Sequence, residues 1–356
     1  MHEYGFKLKC SPLHDSAVVI EKIMKLISDW KRNTHVSLDT VDEFECAILA
    51  DARIQRTVLL SPLARRPAFY IWSKLHKVGQ CAINMISPLF GENALEVSSR
   101  DYFVVQMGTA FTKCRPYFIL AGRKSIYLFD AWPTEHDKII NFIESYKINN
   151  AFLSSSQAAE RLSNSVKECN FYWVAEAIDP RLYRSYPYES KNIDVLQVGR
   201  KYDEYHDLIR MPLEADHKEY RYEQKKGEIV FGTREEFIDG LARSKVSICV
   251  PSCITHPERS GNFETMTVRY LQSMASKCLI VGHAPKEMIN LFGYNPVIEI
   301  DMADPVKQLQ FVLNNFNNYI PLIEKNYIEV INNHTWDNRW QKISSILLGC
   351  ANGELV

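Results

Sequence analysis

The sequence predicts an α/β protein built on parallel sheets, and three observations carry that reading. Short apolar runs, Thr57-Val-Leu-Leu60, Tyr102-Phe-Val-Val-Gln106, Ser125-Ile-Tyr-Leu-Phe129 and Ala151-Phe-Leu153, alternate with helix-like segments, as in chains of βαβ units. A further apolar strand, Asn192-Ile-Asp-Val-Leu-Gln-Val-Gly-Arg-Lys-Tyr202, opens the second half. Several runs end in polar or turn sequences, where open α/β sheets bind ligands.

With 356 residues, the chain is long enough for two domains whose cores need no staples. A net charge of −1 without long runs of like charge argues against a general nucleic-acid surface. Nine cysteines, an odd number scattered along the chain, suggest free thiols in a reducing compartment. Met1 to Cys10 lacks the apolar core of a signal peptide, and no apolar run reaches membrane-spanning length. The expectation is a cytoplasmic protein. Leu59 to His76 mixes bases with aromatics and is the candidate for peripheral contact with the inner membrane face, although such stretches more often pack onto a core.

Along the first half, Val19, Ile23, Leu26 and Ile27 predict a helix over Ser16 to Arg32, capped by Asp15 or Ser16. Met107-Gly-Thr-Ala110, Asp130-Ala-Trp-Pro133 and Ser154-Ser-Ser156 follow strands and would line a cleft. Gly108, Asp130 and His136 are its expected acceptor-side residues, though an Asp after a strand is also a common turn former or cap. Phe171 to Pro180 reads as the strand closing the first sheet, and the polar stretch Arg181 to Lys191 as a domain boundary. The division is 1–185, 186–340 and a C-terminal helix or tail, 341–356.

In the second half, Glu228-Ile-Val-Phe-Gly232 predicts a strand, followed by a capping box, Thr233-Arg-Glu-Glu236, for a helix to Arg243. Val246 to Pro251 is a strand that releases the polar loop Ser252 to Asn262. Beyond it, Val268, Leu271, Ala275 and Cys278 form an apolar helical stripe with Met274 beside it. Glu264 sits at the helix entrance. Gln272 follows about 12 Å along the axis, so one ligand could touch both. The free N–H groups near Thr265 to Thr267 would suit a phosphate; the plainer alternative is an ordinary βαβ helix with Glu264 at its positive end. A helix from Pro285 to Phe292, a strand from Pro296 to Asp301, one or two helices from Pro305 to Asn333 and a last helix from Trp336 complete the chain.

Other site types find little support. Cys253, His256 and Glu258 lie close together, but no second pair stands at ligand spacing, so no metal is expected. Gly-x-Gly-x-x-Gly and the Walker Gly-Lys-Ser/Thr are missing, against a dinucleotide oxidoreductase or a P-loop kinase, and Gly-x-Ser-x-Gly is missing too.

Glu264, seven residues, then Gln272 within Leu271-Gln-Ser-Met-Ala-Ser-Lys277, preceded by Val250-Pro-Ser252 and followed by Cys278-Leu-Ile-Val-Gly282, resembles the signature of retaining nucleotide-sugar glycosyltransferases of the GT-B fold. That family's pattern is Glu, seven residues, Glu, then Ala-Met-Ala-x-Gly; here Gln272 replaces the second Glu and Lys277 the Gly. The resemblance is specific over roughly residues 192 to 345 and topological before them.

It implies two facing Rossmann-like domains with parallel sheets and a cleft between them. It also implies transfer of a sugar, with retention, from a nucleoside-diphosphate donor to a glycan or lipid-linked acceptor, as in surface polysaccharide or glycoconjugate synthesis. Neither cofactor nor metal is implied. Glu264, Arg200 and Lys201 take the catalytic roles, Glu264 on sugar hydroxyls and the two bases on the leaving diphosphate, although Lys201 comes earlier than the family's Lys. Gly199, Arg259, Asn262, Phe263, Thr265, Met266 and Gln272 bind the donor, Gln272 at the ribose, with the base near 228–236. Ala177-Ile178-Asp179 occupies the family's Gly-Ile-Asp-like turn, and the terminal helix crosses back to the first domain. A sugar-nucleotide epimerase or phosphorylase of this fold, or a non-catalytic glycan- or nucleotide-binding protein, are the alternatives.

Overall fold

The computed structural model describes residues 24–28, 38–58, 101–109, 111, 118, 122–225 and 227–348. Six strands, β1 (Met24–Ser28), β2 (Ile54–Val58), β3 (Asp101–Met107), β4 (Lys124–Phe129), β5 (Asn150–Leu153) and β6 (Asn170–Trp173), form one sheet in the order β2-β1-β3-β4-β5-β6. All its pairings are parallel. Buried parallel strands are apolar on both faces, and β3 and β4 show why the sequence folds this way. Tyr102, Val104, Ile126 and Leu128 enter one core, while Phe103, Val105, Tyr127 and Phe129 enter the other. Helices α1 (Asp39–Leu49), α2 (His136–Tyr146) and α3 (Ser156–Ser165) cover the faces.

The second sheet has five strands, β7 (Ile193–Leu196), β8 (Tyr220–Arg221), β9 (Ser244–Cys249), β10 (Leu279–Gly282) and β11 (Ile298–Glu299), ordered β11-β10-β9-β7-β8 and again wholly parallel. Its longer helices are α4 (Asp203–Ala215), α5 (Arg234–Ala242), α6 (Val268–Ala275), α7 (Lys286–Phe292), α8 (Pro305–Asn314) and α9 (Ile320–Asn333), and the expected loop after β9 holds two single-turn helices, Ser252–Thr255 and Pro257–Ser260. The expected capping box at Thr233 and Glu236 is formed in both directions. The last helix, α10 (Trp336–Leu348), follows the second sheet in sequence but packs on the first. Trp336 stacks on Phe44 of α1 with centroids 4.4 Å apart, Trp340 Nε1 donates to Asp51 at 3.0 Å, and Arg123 donates to the Leu347 carbonyl at 2.8 Å.

Three local expectations are corrected. The predicted helix over Ser16 to Arg32 contains a strand, β1, whose residues pair with β2 on one side and β3 on the other; two flanking ladders override a helix-like spacing. Glu228 to Gly232 is not a strand. The outer edge of β7 is taken by Tyr220–Arg221, and the Phe231 ring packs instead over Gly240 of α5, where a Cβ would lie 2.1 Å from it. Helix α6 begins at Val268, so Glu264 precedes it by a loop rather than opening it. Leu59 to His76 falls outside the described residues.

Lys277, standing where the resembled signature has Gly, takes the left-handed conformation with φ 54°. That geometry costs a non-glycine residue about 1 kcal/mol. Its side chain offsets part of this through Glu324, 2.9 Å away, and the Tyr327 ring. Since Ala keeps the strain and drops the side-chain contacts, Lys277→Gly should be more stable than Lys277→Ala by about 1 kcal/mol in urea denaturation. Equal midpoints would show the turn to be unstrained.

Candidate active site

The carboxyl ends of both sheets face a shared cavity of about 230 Å³. The first sheet supplies Met107 at the end of β3, Asp130 after β4 and Glu176 after β6, with Thr40 from α1. From the second come Val198, Gly199 and Arg200 after β7, Ile248 to Val250 at the end of β9, Phe237 of α5, and Thr267, Val268, Arg269 and Gln272 at α6. Gly199 has φ 84°, a turn conformation that favours glycine, and it aims Arg200 across the gap.

One charged cluster spans that gap. Asp130, itself left-handed at φ 52°, lies 3.9 Å from Arg200 and 3.7 Å from Arg259. Both guanidinium groups lie over the Trp132 ring, at 5.3 and 5.0 Å. The ion-pair distances exceed hydrogen-bond reach. Among the described residues neither guanidinium donates a hydrogen bond, so their N–H groups are open to another anion. Burial pushes the Asp130 carboxyl up and the Arg200 guanidinium down against their mutual attraction.

The other expected residues separate into two groups. Gln272 lines the cavity, but its Oε1 accepts from Arg269 at 2.9 Å and its Nε2 donates to the Tyr183 hydroxyl at 2.8 Å. Glu264 lies outside the cavity lining, where it accepts from the Lys286 backbone N–H at 3.3 Å. Lys201 turns to Asp203 at 3.3 Å. Phe263 is buried in the core of the first sheet, against His136, whose Nε2 meets the Ala131 carbonyl at 3.2 Å and whose basicity burial lowers. Thr265 donates to Ser155 at 3.0 Å, Asn262 is exposed, and Gly108 forms a turn at φ 64°. The amides expected to receive a phosphate are partly engaged: Met266 N–H donates to Glu287 at 2.7 Å and Val268 N–H to Glu176.

Sequence reading passed over Glu176, Arg269 and Thr40. Glu176 had a signal, a lone carboxylate in the apolar run Val174-Ala-Glu-Ala-Ile178, since charged side chains are almost never buried without a partner. Burial and the neighbouring Asp130 carboxylate push it up to about 8. Arg269 occupies a helix position that reads as solvated, yet its guanidinium lies 4.5 Å from the Phe237 ring centroid. Thr40 carried no signal.

No protein-family model matches the sequence, and no curated protein matches it either. Solved structures do resemble the fold. HepE from Anabaena, in complex with UDP and glucose, aligns with a TM-score of 0.58 at 9% identity over 92% of this chain and 99% of that one. The fold is GT-B. The α,α-trehalose-phosphate synthase (UDP-forming) of Burkholderia vietnamiensis aligns with a TM-score of 0.53 at 11% identity, again over 92% and 99%. TarM gives 0.50 at 11% identity over 69% of this chain, which spans 54% of TarM's length. At such identities the likeness concerns the GT-B fold alone, and the site rests on its own geometry.

Glu176 gives a pH prediction. A carboxyl raised in the folded state contributes stability that is full below its unfolded value near 4.5 and is lost as pH rises to about 8. Glu176→Gln carries no such dependence. Between pH 5 and 8 the wild type should therefore lose stability relative to Glu176→Gln, by about 1.4 kcal/mol for each unit of displacement. Parallel pH–stability curves would show Glu176 ionised as usual.

Proposed function

We propose that the chain is a glycosyltransferase that moves a hexose-type sugar from a nucleoside-diphosphate donor to a glycan or lipid-linked acceptor with retention of configuration. The observation that carries this reading is a pair of guanidinium groups that donate no hydrogen bond among the described residues, Arg200 in the lining of a cavity walled by the carboxyl ends of two parallel sheets and Arg259 beside the Asp130 that also lines it. Planar guanidinium forks suit phosphate oxygens. Breaking the glycosidic bond places negative charge on the diphosphate, and fixed positive charge there lowers the barrier. On this reading the arginines carry that charge without a metal, and no cofactor takes part. UDP-glucose is the first donor to test, because HepE is recorded with UDP-glucose in a second structure that aligns at a TM-score of 0.56.

In this proposal the lobes are 1–185 and 186–340, with 341–356 returning to the first lobe. Arg200, Arg259 and, deeper, Arg269 serve the diphosphate. Lys201 and Glu264 join only if the cleft closes on the donor, by turning from Asp203 and from the Lys286 amide. Gln272 reaches the ribose by exchanging Arg269 or Tyr183 for it. Work at the inner face of a membrane, in polysaccharide or glycoconjugate synthesis, fits a lipid-linked acceptor; no described helix is long and apolar enough to cross a membrane.

The positions of Glu264 and Gln272 favour one second reading, a nucleotide-sugar-binding protein without turnover. Release of UDP from UDP-glucose over time distinguishes the two, since a binder shifts melting temperature without product.

Arg200→Ala should weaken UDP binding by about 1.5 to 3 kcal/mol in calorimetry, the scale of a charged hydrogen bond. Unchanged affinity would remove Arg200 from the diphosphate site.

A further inference from the structure

The polar groups lining the cavity divide by wall. The second-sheet wall is cationic, with Arg200 and Arg269. The first-sheet wall holds two carboxyls, Asp130 and Glu176, and one hydroxyl, Thr40. Thr40 is 5% exposed, it lines the cavity, and its Oγ1 has no hydrogen-bond partner. A buried hydroxyl left unpaired is costly, and in a cavity wall it points to a ligand that completes it. Glu176, in the same lining, uses Oε2 to accept from the Val268 amide, and no described residue bonds Oε1.

We propose that Thr40 Oγ1 and Glu176 Oε1 form a polyol subsite on the first-sheet wall, which binds the hydroxyls of a neutral hexose. The charge pattern selects this class of ligand. An anion on that wall would meet the Asp130 carboxylate, and a cation would meet Arg200 and Arg269 opposite. A sugar has no charge to repel, and its hydroxyls both donate and accept, matching a hydroxyl beside a carboxyl. Glu176, protonated to about pH 8, can also donate. The volume agrees: about 230 Å³ falls below the ~300–1,000 Å³ of pockets for drug-sized ligands, so it accommodates a fragment of a nucleotide sugar rather than the whole. The subsite deepens the donor reading by placing the transferred sugar on the first wall and the diphosphate on the second, but hexose binding itself does not depend on that reading.

The test uses saturation-transfer NMR of the full chain with free glucose, galactose, mannose and N-acetylglucosamine, alongside UDP calorimetry. Thr40→Val, which keeps the shape and removes the hydroxyl, should weaken the best hexose about fivefold, the size of one neutral hydrogen bond, while Thr40→Ser retains it. UDP affinity should stay unchanged in both variants. No transfer from any hexose to the wild type, or equal transfer in wild type and Thr40→Val, overturns the subsite. Hexose binding without UDP binding would sink the donor reading and leave the subsite standing.

Discussion

Three buried glutamate carboxyl groups tie the two sheets together, and the geometry of the cavity depends on them. Glu43 of α1 accepts from the Asp179 amide at 2.8 Å and the Tyr183 hydroxyl at 3.1 Å, and pairs with Arg234 of α5. Glu176 accepts from the first amide of α6. Glu287 of α7 accepts from the Ser156 amide at 2.9 Å and hydroxyl at 2.7 Å, and from the Met266 amide. Burial raises all three, so each withstands its desolvation only while its partners stay in place. They fix how one sheet faces the other.

That arrangement explains why α6 starts late. Glu264 N–H donates to Gln157, Thr265 to Ser155 and Val268 N–H to Glu176, all in the first-sheet half, while Met266 N–H is held by Glu287 of α7, so residues 264–267 are drawn out before the helix can wind. The same contacts place Glu264 outside the cavity and bring Thr267, Val268 and Arg269 into it. A short segment read alone as a helix entrance is thus a strap between the halves of the molecule.

What the sequence made legible follows from how local each signal is. Buried parallel strands announce themselves as apolar runs, and β3, β4, β5, β7 and β9 stand where those runs lie. The capping box at Thr233 is local chemistry and forms as read. β1 was hidden because its identity comes from two neighbouring strands, one of them more than 70 residues away in sequence. Arg200 and Asp130 were visible as polar residues at strand ends; that they approach to 3.9 Å was not, because the contact joins different sheets. The bonds of Gln272 to Tyr183, 89 residues away, and the unpaired hydroxyl of Thr40 are likewise products of tertiary packing.

The cluster of Asp130, Arg200 and Arg259 holds the clearest mechanistic tension. A carboxylate sits near two guanidinium groups without bonding either, so an incoming diphosphate, with more charge and more acceptors, can outcompete it. A crystal structure of the chain with UDP-glucose examines this directly. The diphosphate should lie between Arg200 and Arg259 with oxygens within about 3 Å of both, and the sugar should face Thr40 and Glu176. A diphosphate bound elsewhere, with the Asp130 contacts unchanged, would contradict the assignment of this cleft as the donor site.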